Sequence, residues 1–236
     1  MIEVRNISFS YRNHPVLRDV SFVVSPGETV SIVGANGAGK TTLLKILSTL
    51  AIPNSGSVIM DGTSAFERPL KYRHQIGYLP ETVALYDDMT VKEYLRYRAA
   101  LKGEPIKRIR RRVSEAVEMC HITEILHTPI RRLSTGFKKR IALADALLLR
   151  PRVLLLDDFL AGLDVGMREV VGDVLSNAAA FSSVIITGHE IDDFAKWTTR
   201  FLVLGEGVIK AEIKTAGIDV LDLRSRINSQ MMEGMR

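Results

Sequence analysis

The residues with the clearest capacity for chemistry lie near the start of the chain, where 34–41 follow the pattern G-x-x-x-x-G-K-[ST]. Glycines in this pattern let backbone N–H groups converge on phosphate oxygens, while Lys40 would reach the terminal phosphates and the Thr41 hydroxyl would bind Mg²⁺. A β-branched segment precedes this loop and a helical pattern follows it, as a phosphate-binding loop requires. The sequence therefore predicts a nucleoside triphosphate site formed by Gly34, Ala35, Asn36, Gly37, Ala38, Gly39, Lys40, Thr41 and Thr42.

Carboxylates that could hold the metal and activate water follow an apolar segment at 153–156. Because such a segment is typical of a buried parallel strand, Asp157 would lie at the carboxyl edge of a sheet, where ligands bind. We expect Asp157 to bind Mg²⁺ together with Thr41, and Asp158 to orient the attacking water or to accept its proton. His189 follows another apolar strand pattern. A histidine there is more often structural, but its place at the same sheet edge favours a hydrogen bond to a phosphate oxygen and to the water.

A second segment that could bind an anion is L-S-T-G-F at 133–137, which precedes another helical pattern. Ser134 is a natural N-cap, and together with Gly136 it leaves backbone N–H groups available to an anion. Such a cap is ordinary when it occurs alone. In this chain it predicts a second helix terminus that binds phosphate.

The composition of the 236-residue chain is that of an ordinary globular protein, and its basic residues cluster chiefly at 107–112. Apolar residues recur around that run at three- and four-residue steps, which predicts an amphipathic helix with its charges on the solvated face. Contact of that face with lipid headgroups or a partner protein is the alternative. No aromatic residue interleaves with the run, so we expect no nucleic-acid partner. The apolar residues are Ile106, Ile109, Val113, Ala116 and Cys120.

The order of the predicted elements indicates an α/β protein with a single domain over 1–236. A β-rich start precedes a core of parallel strands alternating with helices, and a helical insert at about 85–130 lies between the halves of that core. Thr90 and Glu93 form a capping box at the start of the insert's first helix, which Gly103 ends. A short tail, about 212–236, carries no chemical signal.

The three principal motifs, in this order and spacing, resemble those of the nucleotide-binding subunits of ABC transporters. The loop at 34–42 is similar to the Walker A motif and 153–157 to the Walker B motif. The segment 133–137 resembles the LSGGQ signature, which distinguishes this family among P-loop ATPases. The resemblance covers about residues 1–215.

Smaller motifs extend the resemblance. The segment 161–164 is similar to the D-loop, and 76–81 resembles the Q-loop with Glu81 in place of the glutamine. His189 matches the family's switch histidine, and Tyr11 looks like the aromatic residue that stacks on adenine. Within the family, Glu81 and the S-T-G signature are most similar to exporters of the ABC-2 type.

The resemblance implies a P-loop NTPase core with a parallel sheet, an N-terminal antiparallel β subdomain and a helical insert. It implies ATP and Mg²⁺ as cofactors, and an ATPase that powers a separate transmembrane permease subunit from the cytoplasmic face of the membrane. A second ATP-binding subunit, identical or different, would close on the first so that Ser134 and Gly136 of each complete the other's site. Two phosphate-binding helix termini in one chain cannot easily share one triphosphate, which favours that arrangement. Glu81 and the helical insert would transmit closure to the permease.

Several residues depart from the family pattern. Asp158 replaces the usual glutamate, which retracts the carboxylate by about 1 Å and can cost roughly a hundredfold in rate. Thr135 and Phe137 alter the signature, Phe-Leu at 159–160 replaces Pro-Thr, and Asp145 replaces an arginine. We therefore expect intact ATP binding and slowed hydrolysis. The alternatives are a degenerate ATP-binding clamp within a heterodimer and a soluble ABC ATPase outside transport, acting in translation or DNA repair.

Overall fold

The computed structural model describes residues 1–232 and arranges them as two sheets with helices between and around them. The strands in this part are β1 (Ile2–Tyr11), β2 (His14–Val24), β3 (Thr29–Val33), β4 (Ser55–Met60), β5 (Thr63–Ser64), β6 (Ile76–Leu79), β7 (Val153–Leu156), β8 (Ser183–Gly188), β9 (Arg200–Gly205) and β10 (Val208–Lys214). The α-helices are α1 (Lys40–Leu47), α2 (Pro69–Arg73), α3 (Val91–Leu101), α4 (Ile106–Met119), α5 (Thr135–Leu147), α6 (Val165–Ala179), α7 (Ile191–Phe194) and α8 (Val220–Met232).

The larger sheet brings the predicted chemical segments to one edge. Its strand order is β10-β9-β3-β8-β7-β6, and every neighbouring pair except β10–β9 is parallel. Parallel strands are covered on both faces, so all residues of β3 and β7 are buried, and β7 is entirely apolar in sequence. The loops after β3, β7 and β8 therefore emerge side by side at the carboxyl edge, and the predicted α/β class is confirmed.

The smaller sheet, ordered β2-β1-β4-β5, is antiparallel throughout and confirms the predicted N-terminal β subdomain. Helix α1 lies between the two sheets, and its Leu43, Leu44, Ile46 and Leu47 are fully buried in one cluster with residues of both. Burying each such side chain stabilises the fold by about 1.5–3 kcal/mol. The helix that follows the phosphate-binding loop is thus held from both sides, which fixes the position of the loop.

The helical insert begins with the predicted capping box. The Thr90 hydroxyl accepts a hydrogen bond from the N–H of Glu93 at 3.3 Å, and the Glu93 carboxylate accepts one from the N–H of Thr90 at 2.9 Å. Helix α3 ends at Leu101, and Gly103, with φ +81°, turns the chain toward α4. The capping box and Gly103 therefore correctly predicted the start and the end of α3.

Helix α4 has the predicted amphipathic character, with two corrections. Ile109 and Cys120 are buried, and burial raises the pKa of the Cys120 thiol to about 12, so the thiol stays neutral. Ile106 is 87% exposed because it is the first residue of the helix, outside the packed stripe that begins at Ile109. Arg112 does not lie on the solvated face, since its guanidinium is largely buried and 3.3 Å from the carboxylate of Glu104.

The tail, which carries no chemical signal in its sequence, contains a helix. Residues 220–232 form α8, which packs on β9 and β10 with Leu223 and Ile227 fully buried. Residues 233–236 of the predicted tail lie outside the described residues. Among residues 1–232, no helix combines the length and the apolar character needed to cross a membrane.

Asp145, which departs from the family pattern, joins two helices through a buried cluster of charges. Its carboxylate lies on α5 and accepts hydrogen bonds from Arg98 at 3.0 and 3.2 Å, and the Lys102 ammonium lies 2.8 Å away. Both cations belong to the C-terminal end of α3 and the residue that follows it. The Asp145 side chain is only 12% exposed, so its charge depends on these partners.

We predict that Asp145→Asn, which keeps the side-chain shape but removes the charge, lowers the free energy of unfolding by about 2–3 kcal/mol, because two half-buried cations lose their counter-ion. Urea unfolding measures the change. The control is Asp87→Asn, which breaks the exposed Asp87–Lys138 pair and should change stability by less than about 1 kcal/mol. Equal small effects of the two substitutions would contradict a structural role for the cluster.

Candidate functional site

A cavity of about 380 Å³ opens at the carboxyl edge of the larger sheet, where the loops after β3, β7 and β8 meet. Most of the predicted site residues line it, although they come from four separate parts of the chain. They are Asn36, Gly37, Gly39, Lys40, Thr41, Thr42, Glu81, Asp157, Asp158 and His189. Its size lies within the range typical of small-molecule sites.

The ammonium of Lys40 lies within the phosphate-binding loop and close to two acids. It donates hydrogen bonds to the backbone carbonyls of Gly34 at 2.7 Å and Ala35 at 3.1 Å. Burial lowers the pKa of Lys40 below its ordinary value, and the carboxylates of Asp158 and Asp157 oppose that shift. Lys40 is therefore a partly desolvated donor at the mouth of the loop, where it can neutralise a phosphate anion.

Two glycines of the loop occupy places that no larger residue fits. A Cβ on Gly39 would lie 2.7 Å from Cδ2 of Leu17 and 3.1 Å from the carbonyl oxygen of Val16, and its φ of +107° is in the region that favours glycine. A Cβ on Gly34 would lie 2.1 Å from the carbonyl oxygen of Leu204. Strands β2 and β9 therefore pack directly against the loop. This packing holds the backbone N–H groups of the loop in a fixed arrangement.

Asp157 has one satisfied carboxylate oxygen and one that is buried without a partner. Oδ1 accepts hydrogen bonds from the hydroxyls of Thr187 at 2.8 Å and Thr41 at 3.1 Å. Oδ2 is buried with no hydrogen-bond partner among the described residues. A carboxylate beside a threonine hydroxyl is a donor set that suits a hard cation such as Mg²⁺, which usually takes one or two protein oxygens together with phosphates and waters. These residues therefore fit the metal that the sequence implies.

Asp158 adopts a strained backbone conformation that Thr187 holds in place. Its φ is +44°, a left-handed conformation that costs a non-glycine residue about 1–2 kcal/mol. The backbone N–H of Asp158 donates to the carbonyl oxygen and to the hydroxyl of Thr187, both at 3.1 Å. Like Oδ2 of Asp157, Oδ1 of Asp158 is buried without a partner in the described part of the chain. Such strain and unsatisfied charge are typical of functional sites.

Thr187 is the site residue that sequence reasoning missed. It is fully buried at the end of β8, and its hydroxyl contacts both acids of the site. The available signal was a hydroxyl near the end of an otherwise apolar strand, two residues before His189. Its partners, which directly follow β7, are 29 and 30 positions earlier, so only the pairing of β7 with β8 reveals the contact.

Six predicted residues do not line this cavity, and three of them, Gly34, Ala35 and Ala38, belong to the phosphate-binding loop itself. The other three lie outside the loop. Tyr11 is at the end of β1, 48% exposed, with its ring 4.8 Å from that of Phe9. Ser134 caps α5, accepting from the N–H of Phe137 at 3.4 Å, and Gly136 lies in the first turn of that helix. The N-terminus of α5 therefore lies outside the cavity that the phosphate-binding loop lines.

Comparisons of the sequence identify related proteins. The family model described as ABC transporter matches residues 17–161. YxlF of Bacillus subtilis (strain 168), an uncharacterized ABC transporter ATP-binding protein, is 33% identical over 209 residues, which are 89% of this chain and 69% of YxlF. The spermidine/putrescine import ATP-binding protein PotA of Haemophilus influenzae is 32% identical over 212 residues, which are 89% of this chain but only 56% of PotA.

Solved structures with a similar fold are also ATP-binding proteins of ABC transporters. An ATP-binding subunit of an ABC transporter has a TM-score of 0.85 at 27% identity, covering 97% of this chain and 99% of that one. The dimeric cassette MJ0796, bound to ADP and Pi in a post-hydrolysis state, has a TM-score of 0.82 at 25% identity, with 92% and 100% covered. The cbiO1 protein of Clostridium perfringens, part of the complex cbiONQ, has a TM-score of 0.85 at 25% identity, with 98% and 96% covered.

We predict that Gly39→Ala weakens ATP binding more than about tenfold, since the added methyl group would force the loop away from β2, and tenfold corresponds to only about 1.4 kcal/mol. Binding of a fluorescent ATP analogue measures the change. Gly62→Ala is the matched control, because Gly62 also has a left-handed φ, +74°, but open space around it in the turn between β4 and β5. Wild-type affinity in the Gly39 variant would contradict the steric account of the loop.

Proposed function

The chain belongs to the ABC transporter family, and from that premise we propose that it is the ATP-binding and ATP-hydrolysing subunit that powers transport through separate membrane subunits. The observation that carries the proposal is a pair of carboxylate oxygens, one of Asp157 and one of Asp158, beside Lys40 and the phosphate-binding loop. Both are buried with no hydrogen-bond partner among the residues that the structure describes. An arrangement that leaves buried carboxylates without partners suits a metal-bound polyphosphate, because the cation and the water molecules that it binds would supply the missing partners.

In the proposed site the loop at 34–42 binds the phosphates of ATP through its N–H groups and through Lys40. Tyr11 stacks on the adenine, because its ring is exposed at the end of β1. Thr41 and Asp157 hold Mg²⁺, which neutralises phosphate charge when it is bound. Asp157 keeps its orientation through Thr187, so the metal-facing oxygen is preset before the nucleotide arrives.

Hydrolysis is assigned to residues at the open side of the cavity. Asp158 orients the attacking water and accepts its proton, while His189 hydrogen-bonds the terminal phosphate. His189 is exposed and lines the cavity directly after β8, and its backbone N–H donates a hydrogen bond to the Glu190 carboxylate at 3.1 Å. Glu81, also exposed at the cavity, would report the state of the nucleotide to the membrane partner.

We also propose that a complete site needs two chains. Ser134 and Gly136 lie outside the cavity of their own chain, and a second ATP-binding subunit, identical or different, would present its own α5 terminus to the terminal phosphate. The dimeric neighbour MJ0796 supports this arrangement. A single domain over 1–236, with its helical insert at about 85–130, would dock a transmembrane permease subunit at the cytoplasmic face of the membrane.

We further propose a direction of transport, namely export. Glu81 in the Q-loop position and the S-T-G signature favour an exporter of the ABC-2 type. PotA, one of the relatives, is named for import, and YxlF carries no direction in its name. We infer export from the motifs of this chain alone. A degenerate clamp that binds ATP but barely hydrolyses it is a second candidate, which the short side chain of Asp158 favours.

We predict that Asp158→Glu raises the kcat of ATP hydrolysis, by up to about a hundredfold, because the longer side chain restores about 1 Å of reach toward the water. The KM for ATP should stay within about twofold, since phosphate binding rests on the loop. A steady-state assay of phosphate release with Mg²⁺ measures both quantities.

The control is Asp158→Asn, which keeps the shape but cannot accept a proton and should abolish turnover. If Asp158→Glu leaves kcat unchanged while Asp158→Asn abolishes it, the retracted carboxylate does not limit the rate. If the wild-type chain and both variants release no phosphate, the protein is a clamp that binds ATP without hydrolysing it, and the proposed ATPase function is wrong.

A further inference from the structure

Helix α5, whose N-terminus carries Ser134, is joined by one lysine to the segment that follows Asp158. The Lys139 ammonium donates a hydrogen bond to the carbonyl oxygen of Phe159 at 2.8 Å and another to that of Ala161. It also lies 5.6 Å from the centroid of the Phe159 ring, within reach of a cation–π interaction. A single side chain on α5 therefore holds two backbone positions next to Asp158.

The surroundings of Lys139 are electrostatically coupled to the nucleotide cavity. Burial lowers the pKa of Lys139, and the negative charges of Asp158, Glu190 and Glu81 oppose that effect. Asp158 and Glu81 line the cavity. The hydrogen bonds of the ammonium go to backbone carbonyls, so Lys139 fixes the path of the chain and does not simply screen a carboxylate.

The segment held by Lys139 needs external support. Asp158 and Gly162 both have left-handed φ values, +44° and +73°, so the chain turns sharply twice within five residues. Within this turn the N–H of Ala161 is 3.4 Å from the carbonyl oxygen of Asp158, a long hydrogen bond. Phe159 and Leu160 are buried beneath it. A charged donor that bonds two carbonyls is a strong restraint on such a turn.

We propose that Lys139 is a positioning residue that couples the N-terminus of α5 to the alignment of Asp158. The inference rests on the proposed two-chain site. There, the α5 terminus contacts the ATP bound by the partner chain, whereas Asp158 acts on the ATP bound by its own chain. Lys139 links these two events, so engagement of one nucleotide sets the carboxylate that acts on the other.

The neighbouring Lys138 provides a matched control. It is on the same turn of α5, but its ammonium pairs with the carboxylate of Asp87 at 3.0 Å, and that carboxylate is 59% exposed. Neither Lys138 nor Asp87 lines the nucleotide cavity. Removing the charge at position 138 therefore changes the same helix but leaves the contacts of the segment after Asp158 intact.

The test compares Lys139→Met, Lys139→Arg and Lys138→Met in ATP hydrolysis and in binding of a fluorescent ATP analogue. We expect Lys139→Met to lower kcat about tenfold or more, because the carboxylate loses its alignment, with ATP affinity within about twofold of wild type. The Hill coefficient for ATP should fall toward 1, since the link between the sites is cut. Lys139→Arg keeps a charged donor and should recover most of kcat, and Lys138→Met should match wild type.

Several outcomes overturn the inference. Wild-type kcat and Hill coefficient in Lys139→Met would show that the contact does not position Asp158. A purely structural role of Lys139 would be shown if kcat and ATP affinity fell equally in Lys139→Met. It would also be shown if kcat fell together with the midpoint of thermal unfolding and Lys139→Arg did not restore that midpoint. If the wild-type chain itself hydrolyses no ATP, the proposed function fails. If the wild-type chain hydrolyses ATP and Lys139→Met hydrolyses it equally well, only the proposed coupling by Lys139 is wrong, and the proposed function stands.

Discussion

Two buried carboxylate oxygens, Oδ2 of Asp157 and Oδ1 of Asp158, have no hydrogen-bond partner among residues 1–232, and this is the constraint on which the rest of the structure depends. Burying a charge without a partner is costly, and a fold selected for stability alone would pair or remove these groups. Here Lys40 supplies the nearby positive charge, and Thr187 fixes both acids from β8. The fully packed α1 and the parallel sheet hold this unfavourable arrangement in place. The site is therefore prepared for a ligand that brings both cations and hydrogen-bond donors.

Helix α5 is the second organising element, because contacts along its length reach three different regions. Its N-terminus is capped by Ser134 and lies outside the cavity. Lys139, about one turn later, holds the carbonyl groups that follow Asp158, and Asp145 near its C-terminal end binds the cations of α3 in the helical insert. A helix of 13 residues thus contacts both the segment that follows Asp158 and the helical insert, and it carries the proposed second anion site at its N-terminus.

The sequence predicted what depends on contiguous residues. The phosphate-binding loop, the acids after β7 and the capping box at Thr90 are short local patterns, and the structure places each where its flanking strand or helix requires. Contacts between distant segments could not be derived in this way. Asp145 was recognised only as a departure, since its partner Arg98 is 47 positions away, and Thr187 meets its acids only through strand pairing. Helix α8 was missed although Leu223 and Ile227 have helical spacing, because the buried surface that receives them is formed by β9 and β10.

The central claim is that each ATP site is formed by the loop of one chain and the α5 terminus of another. Mixing two inactive variants tests it most directly, with Lys40→Ala to disable the loop and Ser134→Glu to repel phosphate from the α5 terminus. A dimer of one chain of each kind contains one intact site, so the account predicts that the mixture hydrolyses ATP although neither variant does alone. A mixture as inactive as its components, under conditions where the wild-type chain is active, would contradict a site shared between two chains.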